Sequence, residues 1–412
     1  RHHGQQGIAH GVADQNGGRL LVLTHWLTPR DVGLVGVGLL CIETLSMLTV
    51  TGLASAYIQR KEAAEDCLDA VWTVQLVRAA ILVALAALLA PLIGRALAEP
   101  DAASLIRALS LMLVFNAGAS GAAFLLRREL DFGPLGIAQT LGAVLDVAVT
   151  LSLAYDTRSP WALVAGQLTQ SAFNATASYV LHPYRPRLDF HWGKLRRLWR
   201  VGAWMGASNM LLFASRRVDD LLVGFLAGPA ALGVYQPAFR LANLPGTEGT
   251  DVLAGVFFPA YARMHGEPAR ARRIQRQVFL MVLGLTMPYA ALLILAGPWA
   301  VRTFFRPEWQ GMAVLLQLLA VQGLLAAVGE TARPILFAGG KPRLYAALKA
   351  AHVFVFVAMA VPLTLGQQAF GAAVATAITA AIFAPVSLYA AWRVTRYNVA
   401  KARAPREIRD VG

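Results

Sequence analysis

Apolar residues run along this chain in blocks long enough for a helix to cross the hydrocarbon of a bilayer, which takes roughly 20 residues. Eleven such blocks follow Pro29, with approximate cores at 33–57, 71–93, 104–125, 134–155, 160–181, 201–226, 231–260, 277–298, 311–337, 344–365 and 369–393. Residues 19–27, RLLVLTHWL, read as the last turns of a further helix whose beginning is absent, which makes twelve. Residues 1–18 are too polar to span and are expected to form a non-native or disordered terminus. The Gly and Ala content of the blocks suits close helix packing rather than lone anchors. The expected fold is therefore an all-α, polytopic membrane helix bundle.

Lys and Arg fall in every second loop, at Arg60-Lys61, Arg127-Arg128, Arg185 to Arg200, Arg263 to Arg276, Lys341 to Arg343 and in the tail from Arg393. The positive-inside rule puts these loops and the C-terminus in the cytoplasm. Two six-helix lobes are expected, 19–181 and 201–393, followed by a cytoplasmic tail over 394–412. Between the lobes, 182–200 reads as a cytoplasmic amphipathic linker. In it Trp192, Leu195, Leu198 and Trp199 alternate with basic residues, a pattern suited to an interfacial helix. The segments Pro29-Arg-Asp-Val-Gly33 and Pro229-Ala-Ala-Leu-Gly233 hold matching places, each opening the second helix of its lobe, which points to an internal repeat.

Composition agrees: 57% of the 412 residues are hydrophobic and only 15% charged. The net charge of +14 comes from the basic loops, so it speaks for membrane orientation and against nucleic acid. Cys41 lies in an apolar block and Cys67 in a cytoplasmic loop, so no disulfide is expected.

Charge inside the blocks is the candidate chemistry. Arg216, Arg217, Asp219 and Asp220 precede the Gly228-Pro229 turn and Arg240 follows it, all too far from the turn to reach the surface. One reading is structural, with Asp220 neutralising Arg216 at i,i+4 and Arg217 at i,i+3. The other notes that three arginines face two aspartates and assigns the surplus to an anionic ligand. Glu43 and Asp146 lie deep with no charged residue at helical spacing, either as proton carriers or as hydrogen-bonded polar groups. Glu330 and Arg333 read as an i,i+3 pair, and Arg78, Lys349 and His352 as side chains snorkelling to the cytoplasmic face. No phosphate-cradling glycine loop and no Cys/His cluster of metal spacing occurs in the sequence. The external loops are short, so neither an enzyme nor a cofactor is expected.

The stretches LTPRDVGLVG (27–36), GLASAYIQRK (52–61), VDDLLVGFLAGPAALGVYQPAFRLANLP (218–245), FFPAYARM (257–264) and PEWQGMAVLLQLLAVQGLL (307–325) occur in this order. As a set they resemble the Wzx-type polysaccharide-export flippases of the multidrug, oligosaccharidyl-lipid and polysaccharide exporter superfamily. The resemblance implies a two-lobed bundle that flips an undecaprenyl-pyrophosphate-linked oligosaccharide across a bacterial inner membrane, with membrane lipids, a polysaccharide polymerase and chain-length proteins as partners. It implies a cationic cavity, for which Arg216, Arg217, Arg240 and Arg333 are the substrate-binding candidates. Asp219, Asp220, Glu43 and Asp146 are the ion-coupling candidates. The alternatives are a multidrug cation antiporter of the same superfamily and a membrane polysaccharide polymerase or ligase.

Overall fold

The computed structural model describes residues 22–49, 68–121, 125–126, 133–190, 210, 213, 215–245 and 268–403, and among them every regular element is a helix. In chain order these are α1 (Pro29–Leu48), α2 (Leu68–Ala96), α3 (Pro100–Gly118), α4 (Gly133–Thr157), α5 (Trp161–Leu181), α6 (215–222), α7 (Pro229–Leu244), α8 (Pro268–Phe304), α9 (Met312–Glu330), α10 (Arg333–Ala338) and α11 (Pro342–Arg403). Seven helices among the described residues are long and apolar enough to cross a membrane. The protein is a multi-pass membrane helix bundle.

Local chemistry explains where the helices start and stop. Thr28 caps α1 reciprocally: its hydroxyl accepts from Asp31 N, while Asp31 Oδ2 accepts from Thr28 N at 3.0 Å, and Pro29 fills the first helical position. The block predicted over 104–125 breaks at Gly118, and side chains take up the freed polar groups. Tyr179 Oη donates to Gly118 O at 2.7 Å, Trp72 Nε1 donates to Ala119 O at 3.1 Å, and Ser120 N donates to Ser178 Oγ at 2.8 Å. Such substitution is what lets a helix end inside an apolar bundle.

The two blocks predicted over 344–365 and 369–393 are the two halves of α11, separated by Gln368 with φ 53° and ψ −135°. The rings of His352 and Phe383 lie 5.2 Å apart, although 31 residues of straight helix would separate them by about 46 Å. The halves therefore fold back on each other as a hairpin.

The chain divides into two compact units, Ile8–Gly233 and Val234–Gly412, with the division falling inside α7. In the first, α2–α3 and α4–α5 are helical hairpins, and α3 packs on α1 and α5 around Leu34, Val35, Ile42, Leu105, Leu109 and Val164. In the second, α9 packs on α8 and α11, and α10 seals against α11 through Ile335, Leu336, Ala391 and Val394. On α2 the exposed side chains Val77, Ile81, Leu85, Leu88 and Leu92 follow a three-four spacing, while Ala79, Leu82, Ala86 and Ala90 are buried. An exposed apolar stripe of that length suits acyl chains, not water.

The segment expected to be an amphipathic helix departs from that expectation in its described part. Residues 182–190 hold no helix but form an irregular strap. Tyr184 Oη and Arg187 N donate to Asp69 Oδ1, and Asp189 N donates to Thr73 Oγ1 at 2.9 Å, so the strap's polar groups are satisfied by the start of α2. The Pro183 and Pro186 rings also disfavour helix there. Residues 191–200, with the tryptophans that carried the prediction, lie outside the described residues, as do 1–18.

The first turn of α1 is tied to the α2–α3 turn. Arg30 donates from Nε to Glu99 Oε1 at 2.9 Å and from Nη2 to Glu99 Oε2. Glu99 stands outside the spans, and this guanidinium holds its carboxyl below the ordinary 4.5. A folded-state value below the unfolded one means the clamp contributes fully above the unfolded value and is lost as pH falls through the folded one. Arg30 is half exposed, so the contribution is at most about 1 kcal/mol. The thermal midpoint of purified protein should exceed that of Glu99→Gln at pH 7, and the difference should shrink as the pH falls below the ordinary carboxylate range. A difference that persists unchanged at acid pH would mean the pair does not act this way.

Candidate functional site

α6 carries Arg216, Arg217, Asp219 and Asp220 within two turns, where consecutive residues point to different sides and residues three or four apart share a face. Arg216 is exposed, whereas Asp219 and Asp220 are buried. Arg217 turns towards α1. Its Nε lies 3.2 Å from Glu43 Oε2 and its Nη2 donates to Glu43 Oε1 at 3.4 Å, while Nη1 donates to Asp220 Oδ2 at 3.1 Å. One guanidinium thus bridges two carboxylates, one on its own helix and one 174 residues away. Past Arg217 the helix widens into a π-turn over Val223–Ala227 before Gly228, whose φ of 87° only glycine adopts without strain.

This arrangement changes the reading of Glu43, which has no charged neighbour on its own helix but is ion-paired across to α6. It also changes the charge count. α1 and α6 together carry Arg30, Arg216 and Arg217 against Asp31, Glu43, Asp219 and Asp220, so the cationic surplus read from the sequence is absent from this pair of helices. The Glu43 and Arg217 side chains stay 41% and 31% exposed, against 8% for Asp220. The Glu43 side of the bridge is therefore the one open to exchange.

The remaining candidates sit elsewhere. Asp146, on α4, is buried and accepts from Thr150 Oγ1 at 3.1 Å. Gly166 of α5 packs directly on it, since a Cβ at that position would fall 2.2 Å from Asp146 Oδ1. Arg240 is on the exposed side of α7, in the second unit. Arg333 opens α10, three residues past Glu330. Glu330 is ion-paired with Lys349 of α11 and accepts from Tyr345 Oη at 3.0 Å, and Arg333 acts electrostatically on both Glu330 and Tyr345. Lys349 therefore does not snorkel. Its ammonium is drawn to a carboxylate and lies 5.8 Å from the Tyr345 ring centroid.

Arg78 was also read as snorkelling, and it too is engaged. From α2 its Nε donates to Thr49 Oγ1 at 2.9 Å and its Nη2 to Ser46 O, at the C-terminal end of α1. The available signal was an arginine ten residues into a 29-residue apolar helix.

Residues 22–314 match the family described as Polysaccharide biosynthesis protein. The chain belongs to that family. Among its relatives, the lipopolysaccharide biosynthesis protein WzxC of Escherichia coli (strain K12) is 26% identical over 86% of this chain and 72% of its own length. The succinoglycan biosynthesis transport protein ExoT of Rhizobium meliloti (strain 1021) is 28% identical over 74% of this chain and 62% of its own length. The chain therefore spans under two thirds of ExoT.

Among solved structures, an inward-facing multidrug resistance MATE family transporter of the MOP superfamily aligns at TM-score 0.66 and 17% identity, covering 94% of this chain and 96% of that one. The lipid II flippase MurJ in an inward closed conformation aligns at 0.66 and 15%, covering 96% and 91%. At these identities the likeness establishes the transporter fold.

Proposed function

We propose that this protein is a flippase that moves an undecaprenyl-pyrophosphate-linked oligosaccharide across a bacterial inner membrane for lipopolysaccharide, capsule or exopolysaccharide synthesis. The observation that carries the reading is the family match over 22–314, reinforced by relatives named for lipopolysaccharide and succinoglycan biosynthesis. On this reading the protein is not an enzyme: no bond is made or broken, and the work is to hold a charged headgroup while it passes through a low-dielectric region. Arg216, Arg217, Arg240 and Arg333 are proposed to contact the cargo. Guanidinium suits the task because its planar fork holds two phosphate oxygens at once.

The bridge at Arg217 supplies a coupling step. While Glu43 occupies Nε and Nη2, that edge is unavailable to a phosphate. A proton taken up by Glu43 removes the competing charge and frees the edge, so cargo and proton exchange at one guanidinium. Asp219, Asp220 and Asp146 are the further coupling candidates. The carboxylate excess on α1 and α6 also favours the second reading, a multidrug cation antiporter, since cations seek acidic sites. The relatives' names weigh towards the first.

Loss of the protein should accumulate the lipid-linked oligosaccharide on the cytoplasmic leaflet and abolish surface glycan, which extraction of lipid-linked sugars with leaflet-selective labelling can measure. Normal surface glycan without accumulation would sink the flippase reading. The C-terminus is proposed to be cytoplasmic, with a polysaccharide polymerase and chain-length proteins acting on the flipped product. An alkaline phosphatase fusion after Arg396 should be inactive, and an active one would reverse the orientation.

A further inference from the structure

We infer that Arg78 is a second anion-binding arginine of the same path, taking the diphosphate of the cargo before Arg217 does. The inference rests on the flippase reading and adds a residue to it. Arg78 emerges from the middle of α2, where an isolated charge is costly unless it faces a partner or a watery cavity. Among the described residues its partners are neutral oxygens, the Ser46 carbonyl and the Thr49 hydroxyl, and no carboxylate acts on it. The other deep basic side chains with assigned partners, Arg217 and Lys349, have carboxylates.

The way Arg78 is held leaves part of it open. A guanidinium has five N–H groups in a fixed plane. Nε and one Nη2 hydrogen are spent on the end of α1, which steers and fixes the plane. The Nη1 group and the second Nη2 hydrogen form the opposite edge, with no partner among the described residues. The α1 terminus offsets only about half a charge, so a fixed two-donor edge with residual positive charge remains, and the side chain is only half-buried. That is the geometry for bidentate phosphate binding.

Position gives the order. Glu43, which holds Arg217, and Ser46, which holds Arg78, are three residues apart on one face of α1, or about 4.5 Å along its axis. α1 starts at Pro29, so Arg78 is the station nearer the end that the proposed orientation places towards the cytoplasm. A diphosphate arriving from that side meets Arg78 first and Arg217 next.

A cap alone would also explain the hydrogen bonds to α1, and the test separates the two roles. Full-length protein in lipid nanodiscs is titrated with undecaprenyl diphosphate, and separately with inorganic pyrophosphate as competitor, for the wild type, Arg78→Gln, Arg78→Lys and Thr49→Ala, with thermal midpoints measured alongside. Arg78→Gln should weaken undecaprenyl diphosphate binding by about tenfold or more, the worth of one charge-assisted pair. It should also weaken competition by pyrophosphate by a similar factor. Arg78→Lys should fall between, keeping the charge and losing the fork. Thr49→Ala loosens the cap but leaves the guanidinium, and should bind like the wild type.

Equal binding by the wild type and Arg78→Gln overturns the inference. So do losses that follow the thermal midpoint alike in Arg78→Gln and Thr49→Ala, because that is how a cap behaves. Pyrophosphate competing equally in the wild type and Arg78→Gln overturns it as well. If the wild type binds neither probe, the flippase reading itself fails.

Discussion

Replacing Gly33 by alanine is expected to lower the thermal stability of the protein by several kcal/mol and to abolish transport. An added Cβ at Gly33 would fall 1.6 Å from Pro229 O, and one at Gly233 would fall 1.8 Å from Pro29 O. Both obstacles are backbone carbonyls, which cannot rotate away as side chains do, so the first turns of α1 and α7 would have to separate bodily. Inserting a methylene into a packed core commonly costs about 1–3 kcal/mol, and with immovable neighbours the upper end or beyond is expected. The two glycines guard one reciprocal contact, so the penalties should not add. Once Gly33→Ala has parted the helices, Gly233→Ala in the same molecule should cost little more. Thermal unfolding of purified single and double variants measures this, and a Gly33→Ala protein with wild-type midpoint and transport would show the contact to be inessential.

Removing Arg217 should have the largest effect on function. Arg217→Ala takes the guanidinium away from Asp220, which is buried, and from Glu43, whose side chain is partly exposed. Breaking a fully buried pair costs about 3–5 kcal/mol, and exposure on the Glu43 side should reduce the loss here to about 1–3 kcal/mol. Surface glycan should disappear. Adding Glu43→Gln removes one of the two carboxylates that lost the guanidinium and should restore part of the protein level. If Arg217 serves the cargo, glycan stays absent in that double variant even when protein level recovers. Recovery of glycan along with protein would reduce Arg217 to a structural role. Arg217→Lys keeps the charge but not the fork, so near-normal abundance with impaired flipping is expected.

Not all of this was legible in the sequence. The turn residues Pro29 and Gly33 and their counterparts Pro229 and Gly233 were visible as a repeat, but not that the two segments meet face to face. The Arg217–Asp220 pair was visible because i,i+3 spacing puts two side chains on one helical face whatever surrounds them. Glu43 was not visible as its partner, because no spacing rule links residues 174 positions apart. Arg78 and Lys349 were misjudged for a related reason: snorkelling is the default for a long cationic side chain in an apolar helix, and only a neighbouring helix can offer something better.

What the sequence determined by itself is the class of fold and, among the described residues, the place of the seven helices long and apolar enough to span. Backbone polar groups in hydrocarbon must be satisfied within their own segment, so an apolar run of sufficient length has little choice but helix. The break between the last two spans was also determined locally, as α11 turns back at Gln368 between the two predicted blocks. The tertiary structure alone decided which charges are paired and which are open. Helical periodicity fixes neighbours within a turn, whereas the partner of Glu43, the cap on α1 and the approach of Gly33 to Pro229 depend on how helices distant in sequence pack. Packing is set by the summed fit of many side chains that no single stretch contains.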